Sequence, residues 1–248
     1  MSTEEPRLRT ALVTGGSRGI GRATVARLAA DGFAVVVGYS GSKDEAQAAV
    51  DDVVGAGGRA VAVRADVAEE QAVAALFDTA ESEFGGVDAV VNAAGRMALA
   101  PLTELDLDDL DALHRTNIRG TFVVAREAVR RLRPGGTLVL FSTSVIGRPL
   151  PGYGAYAASK GAVEALTTVL AKEIRGRDVT VNAVAPGPTA TALFLEGKDD
   201  ELVARLAAEP PLERLGTPRD IAAVVSFLAG PDARWVHGQV LRANGGLV

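Results

Sequence analysis

Thr10-Ala-Leu-Val-Thr14 is a short apolar run that passes directly into Gly15-Gly-Ser-Arg-Gly19-Ile-Gly21. A helical pattern starts at once behind it, with Ala23, Val25, Ala26, Leu28 and Ala29 as its apolar positions and Asp31-Gly32 as its end. A strand, a glycine-rich turn and a helix in that order leave few folds open. The glycines let backbone come close to a pyrophosphate, and the first helical turn offers unpaired N–H groups and partial positive charge. The unit therefore predicts a dinucleotide site at Gly15, Ser17, Arg18, Gly19, Ile20 and Gly21.

The alternation then repeats. Apolar strands are expected over residues 33–38, 60–63, 87–91, 137–141, 179–184 and 239–242, and helices over 44–54, 68–84, 106–133, 193–208 and 220–229. Repeated βαβ units of this length imply a parallel sheet covered by helices on both faces. The expectation is an α/β fold of Rossmann type, a doubly wound parallel sheet of about seven strands. No repeat, low-complexity segment or linker divides residues 1–248, so a single domain is expected. Residues 1–8 read as a polar tail, and residues 190–215 as a lid over a substrate. Asn117 stands inside the 106–133 pattern, where asparagine is unfavourable, and predicts a local kink or a held water.

Ligands of doubly wound sheets lie at the carboxyl ends of the strands, so the residues there select the dinucleotide. An acid after the second strand would hold the ribose 2′-hydroxyl of NAD and repel a 2′-phosphate. The chain has Tyr39-Ser40-Gly41-Ser42-Lys43 instead, with no acid before Asp44. Arg18 and Lys43 are placed to meet a 2′-phosphate and Ser40 to donate to it, so NADPH or NADP+ is expected ahead of NADH or NAD+. Asp66-Val67 and Asn92-Ala93-Ala94-Gly95 follow the next two strands. The Asp66 carboxylate can accept from an adenine amine or cap the helix behind it, and Gly95 lets ribose approach backbone.

Tyr156 and Lys160, in Tyr156-Ala-Ala-Ser-Lys160, lie one helical turn apart on a shared face. An ammonium beside a phenol favours the phenolate. The Tyr156 pKa is thus expected below its ordinary ~10, which would make the tyrosine an acid or base near neutrality.

Composition removes other chemistries. There is no cysteine, and only His114 and His237 carry imidazole, so no metal centre of thiolates or clustered histidines is expected. Lys plus Arg number 26 against 31 Asp plus Glu, a net charge of -5, which argues against a nucleic-acid partner. The first residues carry no apolar stretch behind their charges, and no apolar run reaches the roughly 18 residues of a membrane span. A cytoplasmic protein with no membrane partner is expected.

Four motifs in order, Thr14-Gly-Gly-Ser-Arg-Gly-Ile-Gly21, Asn92-Ala-Ala-Gly95, Tyr156-Ala-Ala-Ser-Lys160 and Pro186-Gly187, resemble those of the short-chain dehydrogenases/reductases, and the resemblance spans nearly the whole chain. Tyr39-Ser40 and the Ser-Thr-Ser stretch before a Pro-Gly-Tyr loop are similar to the NADPH-dependent tetrahydroxynaphthalene reductase-like branch. The 3-oxoacyl-carrier-protein reductases lie close by. The resemblance implies hydride transfer from NADPH to a ketone or aldehyde, or the reverse oxidation of an alcohol with NADP+. A protein that kept the dinucleotide fold and lost the chemistry is the reading of a different class.

By the same resemblance, Tyr156 protonates the carbonyl oxygen, Lys160 holds the nicotinamide ribose and lowers the tyrosine pKa, Ser144 bonds the substrate oxygen, and Asn117 holds a water linking Lys160 to solvent. Thr189 and Thr191, behind Pro186-Gly187, would bind the nicotinamide carboxamide, and the chain would form a homotetramer built on its two long helices. Two positions depart from the family's pattern. Ala93 stands where the family has a second asparagine. Ser144 fits serine-x-x-glycine because Gly147 follows it, whereas counting along the strand from Gly136 favours Thr143.

The pocket for a small-molecule carbonyl substrate is expected among Arg96, Met97, Ala98, residues 146–153 and the lid from Leu193, with Ile146 on its apolar wall and Tyr153 and Arg148 as polar handles. A flat aromatic ketone or an acyl chain would suit it. An acyl carrier protein would need a basic patch at the mouth, for which Arg130, Arg131, Arg133 and Arg177 are the candidates.

Overall fold

The computed structural model describes residues 7–248, so the tail expected over residues 1–8 falls, apart from Arg7 and Leu8, outside the described residues. The strands are rich in valine and alanine because both of their faces are covered, and β2 (Phe33–Tyr39) and β4 (Val87–Asn92) are buried at every residue. With β1 (Arg9–Thr14), β3 (Ala60–Arg64), β5 (Leu132–Phe141), β6 (Thr180–Pro186) and β7 (Val240–Ala243) they form one seven-stranded sheet. Its order is β3-β2-β1-β4-β5-β6-β7, and every pairing is parallel. This is the expected doubly wound sheet.

Alternate side chains enter two cores. Leu12, Val36, Val90 and Leu140 meet Phe77 of α3 (Glu70–Phe84), Val124 of α5 (Gly120–Arg131) and Val163 of α6 (Gly154–Glu173). Val13, Val35, Val91 and Val139 turn the other way, to Leu28 of α1 (Gly19–Ala30), Val53 of α2 (Lys43–Gly55) and Val225 of α9 (Pro218–Ala229). β1 therefore feeds a helix on one face and β4 feeds helices on the other. The loops behind their carboxyl ends separate, and a crevice opens between them.

Three expected helices differ in the structure. α3 begins at Glu70, not at residue 68, because the Asp66 carboxylate accepts from the Ala68 N–H (3.0 Å) and the Asp66 carbonyl from the Glu69 N–H (3.0 Å), folding the start into a turn. The 106–133 pattern is α4 (Leu107–His114) and α5 joined by a π-helical turn, Arg115–Arg119, centred on Asn117. The Thr121 hydroxyl donates to the Asn117 carbonyl across it (2.7 Å). Such turns often mark functional positions. The expected lid helix is two, α7 (Ala192–Leu195) and α8 (Asp200–Ala208), since the Asp199 carboxylate accepts from the Leu202 N–H (2.8 Å) and caps a new start. Among the described residues no helix is long and apolar enough to cross a membrane.

Candidate active site

The turn behind β1 closes tightly on the loop behind β4. A Cβ on Gly15 (φ +64°) would lie 2.8 Å from the Ala94 nitrogen, and one on Gly21 would lie 2.0 Å from the Gly15 carbonyl oxygen. Only glycine permits this approach, which leaves bare backbone as the floor of the crevice. Arg18 is extended and puts no side-chain cap on α1, so the N–H groups of the first turn stay free. These features fit a dinucleotide pyrophosphate. Ser17 is buried under the turn, Gly19 abuts Thr191, and Ile20 lines the cleft. Tyr39 is buried at the end of β2, with Ser40 and Lys43 exposed beyond it.

Asp66 and Val67 stand behind β3, as expected. Burial opposes the charge of Asp66, but the Ala68 N–H and Arg115 (2.6 Å) together hold its carboxyl below the usual range. Asp66 thus closes the turn before α3 rather than capping the helix, whose N-cap is Glu69, and its outward oxygen is shared with a guanidinium. The Asn92 side chain faces away from the crevice: it is buried, accepting from the Thr14 hydroxyl (2.6 Å) and donating to Thr121 (3.1 Å). It pins β1, β4 and α5 together, while Ala93 and Gly95 line the cleft.

Lys160 of α6 is buried, and its ammonium donates to the Phe141 carbonyl (2.9 Å) at the end of β5. Burial pushes its pKa down to about 8. The expected lowering of the Tyr156 pKa is reversed. Burial pushes the phenol up to about 12, the Thr143 side chain pulling down and Tyr153 adding to the rise. The Lys160 nitrogen lies 5.9 Å from the Tyr156 ring centre and is committed to β5 backbone, so desolvation outweighs attraction. The result is a phenol held protonated, the form a proton donor needs.

Ser144 and Thr143, the two candidates for the substrate-oxygen donor, both line the cleft but differ in their partners. The Ser144 hydroxyl donates to the Ala185 carbonyl of β6 (3.1 Å), and that of Ser142 to Glu164 on α6 (2.6 Å). Thr143 Oγ1 accepts from the Val145 N–H (3.3 Å), and its hydroxyl is the hydrogen-bond partner of Tyr156, so the two hydroxyls stand side by side on the cleft wall. Thr143→Ala should therefore lower kcat for carbonyl reduction by about a hundredfold, the usual loss for one donor at a developing oxyanion. Ser144→Ala should lose less than about tenfold on the same reasoning; steady-state rates of the two variants check the ranking.

Asn117 is fully buried. Its oxygen accepts from the Arg96 N–H (2.8 Å), and its nitrogen donates to the Arg96 carbonyl (2.9 Å) and the Ser159 hydroxyl (3.1 Å). This clamp brings the loop behind Gly95 to the catalytic helix: a Cβ on Gly95 would lie 3.5 Å from Asn117 Oδ1 and 3.6 Å from Lys160 Nζ.

The cleft holds about 1060 Å³ of free space, part of it continuous with solvent, and Arg96, Met97, Tyr153 and Leu193 line it as expected. Ile146 does not, because the 3-10 turn Ser144–Ile146 presents Val145 instead. Pro186, Gly187, Thr189 and Thr191 form its side. The Thr189 hydroxyl donates to the Gly187 carbonyl (2.9 Å), and that of Thr191 accepts from the Phe194 N–H (3.2 Å) to start α7. Leu206, from the expected lid, and Leu247, from a distant segment that carries no motif, complete the wall. Arg148 is ion-paired with Glu209 at the end of α8, which neutralises that handle and ties the loop behind β5 to the lid. Burial, and then Glu209, keep the Tyr153 phenol protonated.

The arginines considered for a carrier protein lie elsewhere. Arg130 and Arg131 end α5, Arg133 begins β5 and Arg177 precedes β6, all at the amino edge of the sheet, opposite the cleft. Arg131 pairs with Asp78 (2.7 Å) and Glu81 (2.6 Å), Arg133 with Asp88 (3.0 Å) and Arg130 with Glu127 (3.2 Å). Among the described residues no group of three or more His, Cys, Asp or Glu is placed to hold a metal ion.

The sequence model of the family described as enoyl-(acyl carrier protein) reductase matches residues 15–248. An NADPH-dependent aldehyde reductase-like protein, chloroplastic, of Arabidopsis thaliana is 41% identical, over 97% of this chain and 94% of that protein. A hydroxynaphthalene reductase-like protein of Metarhizium majus is 39% identical over 100% of this chain and 98% of its own. The crystal structure of a short-chain dehydrogenase from Burkholderia cenocepacia in complex with NADP superposes with a TM-score of 0.91 at 38% identity, covering 98% of this chain and 99% of that one.

Proposed function

The chain belongs to the short-chain dehydrogenase/reductase family, and on that premise we propose that it is an NADPH-dependent carbonyl reductase that converts a ketone or aldehyde to an alcohol. The observation that carries the reading is a phenol held protonated by burial and hydrogen-bonded with the Thr143 hydroxyl, in an apolar cleft next to buried Lys160. Arg18, Ser40 and Lys43, with no acid before Asp44, support NADPH, in keeping with the names of the Arabidopsis and Burkholderia proteins.

When bound, the reduced nicotinamide supplies the hydride that becomes the new C–H bond at the carbonyl carbon. Tyr156 gives its proton to the carbonyl oxygen as the C=O π bond is lost, and Thr143 donates a hydrogen bond to the same oxygen. Donors fixed in advance at an oxygen gaining charge stabilise the transition state more than the ground state. The Lys160 ammonium offsets the tyrosinate charge left behind, and its N–H groups not used by Phe141 hold the nicotinamide ribose. Asn117 keeps the loop behind Gly95 in place; with its side chain spent on Arg96 and Ser159, the second lone pair of its backbone carbonyl would hold the water through which Tyr156 regains its proton.

The substrate in this reading is largely apolar, since Glu209 already satisfies Arg148, and Arg96 is the arginine left on the cleft wall to meet a polar group on it. Residues 190–215 act as the lid of a single domain. The chain is cytoplasmic and assembles as a homotetramer on its long helices, covering exposed Phe122 of α5 and Val169 of α6. NADPH oxidation with an aryl aldehyde, a bicyclic aromatic ketone or quinone, and a 3-oxoacyl thioester tests the reading. Turnover of the first two well above the thioester is expected. Preference for the thioester would return the carrier-protein reductase reading.

A further inference from the structure

We infer that Arg64 is a third cation of the 2′-phosphate site and a determinant of NADPH over NADH, an inference that rests on the cofactor reading above. Parallel pairing sets Arg64, the last residue of β3, against Tyr39, the last of β2, and the Ala65 N–H donates to the Tyr39 carbonyl (2.7 Å). Val35, Val37 and Tyr39 share one sheet face, and their register partners Ala60, Ala62 and Arg64 share it too. That face is the one covered by α1 and α2. Arg64 thus leaves the carboxyl edge of the sheet beside Ser40, on the side where α2 begins at Lys43 and the glycine turn presents Arg18.

Charge supports the same place. Arg22, Arg115, Arg119 and Arg148 are each paired with a carboxylate. Arg18, Lys43 and Arg64 are all exposed, and among the described residues no carboxylate lies within 4.0 Å of any of them. The first turn of α2 also carries Asp44 and Glu45. Arg18 and Lys43 alone would only balance those two acids, which leaves no net charge for a phosphate dianion; Arg64 supplies the excess. A guanidinium suits this task because its fork of donors matches phosphate oxygens.

The test is the Kd of NADPH and of NADH, each read by nucleotide fluorescence, for the wild-type protein, Arg64→Ala and Arg64→Lys. Arg64→Ala should weaken NADPH about tenfold, the effect of losing one charge-assisted hydrogen bond, and leave NADH within about twofold. Arg64→Lys should recover most of the loss. NADH affinity serves as the control for folding. An NADPH Kd changed by less than about threefold in Arg64→Ala, or an equal weakening of NADH, overturns the inference while the cofactor reading stands. A wild-type protein that binds both nucleotides equally overturns the cofactor reading, and Arg64 with it.

Discussion

Tyr156→Phe will lower kcat for carbonyl reduction by about a thousandfold, within the usual span for a positioned general acid, and leave the Kd for NADPH within a few-fold of wild type. The phenol loses only its hydroxyl, and the ring remains as wall of the cleft. Thr143 stays to bond the substrate oxygen but has no acidity to protonate it. With Tyr156 pushed up to about 12 and Lys160 down to about 8, the donor is loaded throughout the neutral range and the helper is what titrates. kcat/KM for NADPH should therefore fall above about pH 8, as Lys160 loses the charge that offsets the tyrosinate. A flat profile from pH 7 to about 10 would remove Lys160 from the proton transfer.

Lys160→Met will abolish most of the activity yet stabilise the fold at pH 7 by about 2 kcal/mol. The lysine pKa falls from 10.5 in the open chain to about 8 in the fold. Between those values the unfolded chain binds more protons than the folded one, so stability rises with pH through that window. Below about pH 8 the full cost of burying the ammonium is present, roughly 3 kcal/mol at 1.36 per pKa unit. Methionine removes that cost but leaves the Phe141 carbonyl without its partner, which returns about 1 kcal/mol. Urea titration at pH 7 and near pH 10 checks both the gain and its disappearance at the higher pH. A variant no more stable than wild type at pH 7 would show that the buried ammonium carries no penalty.

The fold was legible because its signals are local. Strand and helix periods and the Gly15–Gly21 turn each fix a neighbourhood, and the alternation of units then leaves one sheet type. Tyr156 and Lys160 were legible for the same reason, since one helical turn places both on one face. What was hidden depends on distant partners. Ser144 matches its motif, yet its hydroxyl is taken by the Ala185 carbonyl from β6, a contact that no local pattern carries. The direction of the Tyr156 shift depends on how far burial outweighs a nearby ammonium, which spacing alone does not give. Arg64 reaches the cofactor end of β2 only through strand register.

Some errors were avoidable from residues alone. Asp199, a capping residue just past a glycine, marks a new helix start inside the lid. The arginines that end the helix before β5 must lie at the amino edge of a parallel sheet, away from any ligand.

In the proposed reaction a hydride passes to a carbonyl carbon and Tyr156 supplies the proton. The most direct measurement is incubation with NADPH carrying deuterium at both C4 positions and an aryl aldehyde, followed by mass spectrometry and NMR of the product. The expected product is an alcohol with one deuterium on the carbinol carbon, with one NADP+ formed per alcohol and almost no labelled product from Tyr156→Phe in the same time. An alcohol formed without the label, or a Tyr156→Phe variant that forms it at the wild-type rate, would contradict the proposed reaction.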